Sequence, residues 1–523
     1  MSGLNFLSFI GIFALCGIAW LTSENRRIIP WRTIFWGIGL QLILGLLVFL
    51  IPATRSLMEL LSDGVNSILQ ATEAGSRFIF GSLLVPDLTG AQPSPLLAGR
   101  WIARAVTPPY VPVPGDRLLS NGSSGDFISL GYIFAFRALP SVIFFSALMA
   151  LLYTLGLIQP LVNGFARIFR NTMNLSGAEA LSGASNIFVG IEATILVRPY
   201  LERMTRSELC AILTSCFGSI ASTVLALYAG FLQPVFPNIT GHLISASIMA
   251  IPACFVISKI VVPETEVPDT MRKSLQERSQ TEVEAAVEEG ALVGAEDLTE
   301  TEFESVGNSE ALGNDEIDLQ QRDYDQPTRL NLMESVVFGA MDGVKLAAAI
   351  AALLIAVLGL VALVNLFFAN LASLATSSQP LIRGIGRVFQ IVTLQNILGA
   401  LFLPLTFLTG VSLQWQELWQ SSVLIGQRLI LTEVPSYQQL AVLANQGVLS
   451  PRALLVVSYA LCGFAHLPSV GIFVGGLVSL VPSRRRDITE LGWKALWAAT
   501  LATLMIGCIA GLYDTGNPAI LGK

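Results

Sequence analysis

Three side chains in this sequence are out of keeping with their surroundings. Glu192 is the only acid in the apolar stretch SNIFVGIEATILVRPY, Glu433 is the only acid in GQRLILTEVPSYQQL, and His466 lies in ALCGFAHLPSVGIF. An ionised carboxylate in hydrocarbon costs ~2.5–3.5 kcal/mol on insertion scales unless it faces a partner, water or a ligand. Each Glu adjoins a helix breaker, Gly190 in the first stretch and Pro435 in the second. A broken segment exposes backbone N–H and C=O groups, and a carboxylate beside it accepts hydrogen bonds from a polar ligand. Two bland alternatives stand beside this one. Each Glu can pair with a nearby arginine, Arg198 or Arg428, as a structural bridge. The two can also serve as acid and base of an intramembrane hydrolase, although no nucleophile motif accompanies them.

Hydroxyls and a histidine add to the pattern. Ser219, Ser222 and Thr223 fall in CFGSIASTV, where they either meet a ligand or bond the preceding turn. Pro468 follows His466 by two residues, removes a backbone hydrogen bond and should unwind the helix there, with Ser469 as its neighbour. A lone histidine in such a helix is otherwise a satisfied interior group.

The elements that must position these groups are membrane helices. The chain has 523 residues, of which 53% are hydrophobic and 13% charged, with a mean hydropathy of +0.66. Such a chain cannot cover itself with polar surface, so most of its solvent is lipid. Runs long enough to cross a ~30 Å core occur near 4–22, 33–51, 131–158, 208–232, 242–262, 344–369, 452–481 and 491–513. Two further stretches, 175–200 and 421–446, are apolar but interrupted, and re-entrant hairpins explain them most economically. Residues 55–85 read as an amphipathic helical segment. The expectation is an all-α polytopic membrane protein with about eight transmembrane helices and two re-entrant hairpins.

Charge refines the layout. The net charge is −7, but residues 264–330 hold 19 acidic and 5 basic residues, so the rest of the chain is basic. This insert is expected to be a disordered solvated linker, with a partner-binding role as the alternative. Arg26, Arg27 and Arg32, then Arg198, Arg203 and Arg206, then Arg484, Arg485 and Arg486 form three basic clusters. Placed together in the cytoplasm, they put both termini outside and make segment 86–126 an external loop. The apolar run at the N-terminus has no preceding positive charge and does not read as a cleavable signal. Six cysteines lie in apolar runs without a CxxC pair, and only His242 and His466 are available beside them. They read as small core residues rather than metal ligands or disulfides. Nucleic-acid binding and secreted disulfide classes are excluded.

The chain also repeats itself. A shift of 246 residues superposes Cys216 on Cys462, Thr223 on Ser469 and Val224 on Val470. A Glu lies at the centre of the broken segment in each copy, and an odd number of crossings separates the copies. That is the inverted-repeat pattern of secondary transporters, whose sites lie near the midplane where helices are discontinuous. The expected division is 1–130 for the N-terminal spans, amphipathic segment and external loop, 131–262 for the first repeat, and 263–333 for the insert. Residues 334–481 then form the second repeat and 482–523 the last span.

At these residues the chain resembles the concentrative nucleoside transporters over nearly its whole length. FRALPSVIFFSALMALLYTLGLIQ resembles the family's span before the first hairpin, and SNIFVGIEATILVRPYLERMTRSEL its first hairpin and following helix start. LIGQRLILTEVPSYQQL resembles the second hairpin and YALCGFAHLPSVGIFVGGL the unwound span after it. The resemblance implies a homotrimer in the bilayer, with a scaffold and a moving transport domain made of the hairpins and their partner spans. It implies nucleoside uptake driven by a sodium or proton gradient, at the bacterial inner membrane. By resemblance the Na⁺ ligands are Asn186, Val189, Ser219 and Ile220, with Val189 and Ile220 acting through carbonyls; such oxygens suit a hard cation. By resemblance the substrate meets Glu192 and Val224 on the base side and Glu433, Phe464 and Ser469 on the sugar side. Three departures stand out. The family's Gly-Gln-Thr/Ser-Glu tip reads Gly190-Ile191-Glu192, its ribose-reading Asn is His466, and its Asn-Glu-Phe reads Thr432-Glu433-Val434 before Pro435. Losing an amide partner leaves a buried ligand group unsatisfied, ~1–3 kcal/mol.

The leading reading is a Na⁺-coupled nucleoside symporter rather than an enzyme. The second keeps the architecture and changes ion or cargo, a proton-coupled carrier of nucleoside-like or other small polar metabolites. There His466 adds a group that titrates near neutral pH. A hydrolase would show product chemistry, and a substrate sensor would bind without accumulation.

Overall fold

A computed structural model describes residues 3–51, 67, 71–81, 85, 134–188, 190, 193–194, 197–220, 222–271 and 331–521. Most of segment 55–85, the loop 86–126, the insert beyond residue 271 and Val189, Ile191 and Glu192 lie outside the described residues. Every regular element among the described residues is helical. This suits lipid, because a helix satisfies its backbone polar groups within one segment.

Two apolar helices, α1 (Gly3–Leu21) and α2 (Trp31–Leu50), open the chain. Two series of helices follow in matching order. The first contains α3 (Phe134–Thr154), then α4 (Gln159–Met173), then the hairpin region α5 (Gly177–Asn186) and α6 (Arg198–Leu201). It continues through a span broken into α7 (Arg206–Gly218) and α8 (Ser222–Leu232) and closes with α9 (Ile239–Val261). The second contains α10 (Leu332–Ser373), then α11 (Pro380–Phe389) and α12 (Leu394–Leu408), then the hairpin α13 (Trp415–Leu431) and α14 (Glu433–Asn445). A broken span, α15 (Pro451–Ala460) and α16 (Leu467–Leu480), precedes the last helix α17 (Arg485–Tyr513). In both series the helix ahead of the hairpin bends sharply from its neighbour, by 81° between α3 and α4 and by 66° between α11 and α12.

The expected runs at 4–22, 33–51, 242–262 and 491–513 emerge as single helices, while those at 208–232 and 452–481 are each split. The run at 344–369 is only the middle of a 42-residue helix. Its polar first turns extend it, capped by Asn331 and Glu334 in a reciprocal capping box. Helices α4, α11 and α12 had no place in the span count, because at 10–15 residues each is too short to cross.

Packing separates the helices into two groups. α3 and α10 lie against each other, and Gly339 and Gly343 make this contact possible. A Cβ at Gly339 would stand 2.6 Å from the Ala150 side chain, and one at Gly343 would stand 2.7 Å from the Ile143 backbone. Small residues four apart let membrane helices approach closely. The outer face of α10 keeps Ile355, Leu360, Leu363 and Phe367 exposed, as a lipid-facing surface does. The second group places α9 and α17 side by side at the centre, enclosed by α1, α2, α7 and α15. This body carries the broken spans.

Candidate functional site

The two broken spans meet at their breaks. α7 ends at Gly218, and α15 ends at Ala460, with six residues between it and the start of α16. Gly463, in the second break, has φ +157°, and a Cβ there would come 2.8 Å from the Gly218 carbonyl oxygen and 2.8 Å from Thr503 Cγ2. Any larger residue would push the breaks apart.

Around the first break lie three of the four residues assigned to Na⁺. Asn186 is the last residue of α5 and is fully buried; its Nδ2 donates to Ser215 Oγ at 2.8 Å. Ser219 caps the C-terminus of α7, its N–H and its hydroxyl both donating to the Ser215 carbonyl, at 3.2 and 2.8 Å. The Ile220 carbonyl accepts from Ser247 Oγ at 3.3 Å. Asn186 and Ser219 therefore converge on Ser215, with Ile220 next in the chain. Among the described residues Asn186 Oδ1 accepts only a long 3.8 Å contact from the Cys216 thiol, and the Ser219 hydroxyl keeps its lone pairs. Buried oxygens at the negative end of a half-helix fit a small hard cation.

The second break receives hairpin α13–α14. Thr432, between its helices, has φ +74° and ψ 173°, a conformation that costs a non-glycine residue ~1–3 kcal/mol and persists where the surroundings hold it. The strain turns the chain so that Glu433 begins α14, where the positive helix end favours a carboxylate. Tyr228 of α8 donates its hydroxyl to Glu433 Oε1 at 2.5 Å, and His466 Nε2 lies 2.7 Å from Oε2. His466 is also the N-cap of α16, its Nδ1 accepting from the Ser469 N–H at 3.2 Å. Assigned from that bond, the imidazole proton sits on Nε2, beside Glu433. Among the described residues Oε2 has no neighbour at hydrogen-bonding distance beyond this 2.7 Å contact, and a carboxylate oxygen has more than one acceptor position. It is a buried acceptor with capacity left for a hydroxyl donor. Ser469 Oγ lies 3.1 Å from Nδ1, and the Phe464 ring stands edge-on 6.2 Å from the imidazole. Val224 is buried one turn before Tyr228 on α8.

The structure thus brings Glu433, His466 and Ser469 into contact, with Phe464 alongside and Val224 one turn from Tyr228; Glu192 falls outside the described residues. Arg428 is not the partner of the Glu433 carboxylate. Buried to 1% exposure, its guanidinium donates to the Ala460 carbonyl at 2.6 Å and to Thr503 Oγ1 at 3.0 Å, across the end of α15. Two features escaped the sequence reading. Tyr228, stacked on Tyr437 at 4.6 Å, reads as an ordinary aromatic in an apolar helix; its position four residues after Val224 was the available signal. A buried charge cluster holds the start of the first hairpin. Ser176 and Glu179 form a capping box, and Lys259 Nζ reaches Glu179 at 2.5 Å and Glu264 at 3.0 Å.

Comparison with known proteins decides the family. The C-terminal model of the Na⁺ dependent nucleoside transporters matches residues 242–511, the N-terminal model matches 10–83, and a nucleoside recognition (Gate) model matches 135–235. The chain belongs to the concentrative nucleoside transporter family. An uncharacterised transporter of Haemophilus influenzae is 31% identical over 97% of each chain. The rat sodium/nucleoside cotransporter 2 is 30% identical over 97% of this chain and 62% of its own, so the chain spans about three fifths of that relative. CNTnw in an inward-facing substrate-bound state superposes with a TM-score of 0.71, at 30% identity over 98% of each chain. This concentrative nucleoside transporter is a multi-pass integral membrane protein and not an enzyme, which sets the hydrolase reading aside.

Proposed function

We propose that this transporter is a Na⁺-coupled symporter that imports nucleosides across the bacterial inner membrane as a homotrimer, by movement of the hairpin-bearing body against α3 and α10. One observation carries the reading. A buried carboxylate, Glu433, sits at a strained hairpin break against the break of a second span, with one oxygen left to accept from a hydroxyl. In this reading the sugar hydroxyls meet Glu433, His466 and Ser469 beside Phe464, while the base lies toward Val224 and Glu192. Na⁺ is held by Asn186, Ser219 and the carbonyls of Val189 and Ile220. The ligand set is neutral apart from the ion, so Na⁺ brings the positive charge that the end of α7 favours.

A second reading has its own support. His466 stands where the family has Asn, 2.7 Å from Glu433, and imidazole is the side chain suited to carry protons near neutral pH. Proton coupling, with nucleoside-like or other small polar cargo, follows if that pair changes charge in the cycle. Uptake of radiolabelled uridine and adenosine into proteoliposomes, under Na⁺ and proton gradients imposed separately, distinguishes the two. The expected result is accumulation under Na⁺ that falls at least about 100-fold in Glu433→Gln, the scale of losing a charged partner to a buried polar group. Accumulation under the proton gradient alone selects the second reading, and none under either gradient rejects both.

A further inference from the structure

The Tyr228–Glu433 contact joins the two repeats at the ligand-facing carboxylate. On α8, Val224 and Tyr228 are four residues apart and share a face; on α14, Glu433 and Tyr437 do the same. These faces interlock. Tyr228 donates to Glu433 Oε1 at 2.5 Å and stacks on Tyr437 at 4.6 Å and 17°, while the Tyr437 hydroxyl donates to the Ser458 carbonyl of α15 at 2.8 Å. Both tyrosines are fully buried. A phenol donating to a carboxylate at this distance is a charge-assisted bond, and with His466 at the other oxygen it fixes the rotation of the Glu433 carboxyl plane. Oε2, with its unmet acceptor capacity, is therefore aimed by a residue of the opposite repeat.

We propose that Tyr228 is a positioning residue that sets how the carrier reads the sugar hydroxyls of its substrate, by orienting Glu433 from the first repeat. The proposal rests on Glu433 being a ligand-binding carboxylate. Without the phenol, the carboxyl plane is held at one oxygen only, by the His466 contact, and the hydroxyl it reads loses its fixed acceptor, so a ligand bearing that hydroxyl loses affinity while one lacking it does not. The purified full-length transporter is titrated calorimetrically with uridine, 2′-deoxyuridine and 3′-deoxyuridine. Wild type should prefer uridine over at least one deoxy analogue. Tyr228→Phe keeps the ring and its stacking, and should weaken uridine about tenfold while compressing that preference toward unity. Tyr437→Phe removes the neighbouring hydroxyl without touching Glu433, and should leave the preference intact. Tyr228→Leu is the second variant without a donor, and it should compress the preference equally. Wild-type discrimination in a folded Tyr228→Phe or Tyr228→Leu protein overturns the proposal. So does recovery of neither variant as folded protein, since the role would then be structural. Failure of wild type to bind any of the three ligands would sink the functional reading itself, a result distinct from these.

Discussion

The two repeats use the same order of helices and opposite means of holding their breaks together. In the first, the C-terminal end of half-helix α7 finishes on neutral groups, Asn186, Ser215 and Ser219. In the second, the C-terminal end of half-helix α15 receives the guanidinium of Arg428, which the chain supplies from its own hairpin. Both ends present carbonyl oxygens and the negative pole of a helix. The second repeat meets that need with a permanent cation. In the proposed reading, the first leaves it for a Na⁺ ion that comes and goes. Ionic fastening moves elsewhere in the first repeat, to Lys259 with Glu179 and Glu264 at the foot of the hairpin, away from the break. If the carrier is ion-coupled as proposed, the placement of charge separates a half that responds to the ion from a half that does not.

The largest test of this contrast is Arg428→Met. Truncating a buried charged group typically costs ~3–5 kcal/mol, here by leaving the Ala460 carbonyl and Thr503 without their donor. The thermal midpoint of the purified protein should fall sharply, and added Na⁺ should not restore it. A variant as stable as wild type would break the comparison, because the guanidinium would then not be what closes the second break.

A smaller and opposite response is expected in the first repeat. Ser219→Ala removes one oxygen from the neutral set without creating a buried charge, so stability in the absence of Na⁺ should change by less than about 1 kcal/mol. The Na⁺ concentration giving half-maximal thermal stabilisation should rise about tenfold, equivalent to ~1.4 kcal/mol of ion binding. If Na⁺ stabilises neither wild type nor variant, the first break is not the responsive half.

How far this asymmetry was legible in the sequence depended on what each residue's signal competed with. Long apolar runs gave α1, α2, α9 and α17 to within a few residues, because nothing but a membrane helix fits such a run. Glu433 and His466 were visible because charge and imidazole are rare in apolar windows, and their contact across 33 positions of chain follows from the pairing of a hairpin with a broken span. Arg428 was visible too, but proximity in sequence suggested the wrong partner. Five residues apart on either side of a break, Arg428 and Glu433 are aimed in different directions by Thr432, and no sequence rule anticipates a threonine at φ +74°. Tyr228 carried no signal of its own, since an aromatic residue in an apolar helix is ordinary core. The short helices α4, α11 and α12 were missed because a count of spans looks only for segments that cross. Lys259 was hidden inside an apolar run whose last turn reaches the foot of the first hairpin.

The smallest effect lies at the foot of the helices, where Glu24, in the link between α1 and α2, is bound by Lys494 and by Arg206 at 3.0 Å. Partial burial works against its ionised form, but the hydrogen bonds and charges of Lys494 and Arg206 prevail and hold its carboxyl below the usual range. The folded state therefore keeps the ionised form more tightly than the unfolded chain does. Its contribution to stability is complete above the ordinary carboxylate range, and it is lost as pH falls through the lowered folded value. Because the group is partly exposed and salt screens such a site, the contribution is ~0.2–1 kcal/mol. Glu24→Gln should thus lower the thermal midpoint by about 1–2 °C at pH 7 in low salt. The difference should close as the pH approaches 3 and shrink at 0.5 M salt. A difference that persists in acid would mean that the carboxyl acts through its hydrogen-bonding shape and not its charge, and that Glu24 adds no ionic fastening between the α1–α2 link, Arg206 and Lys494.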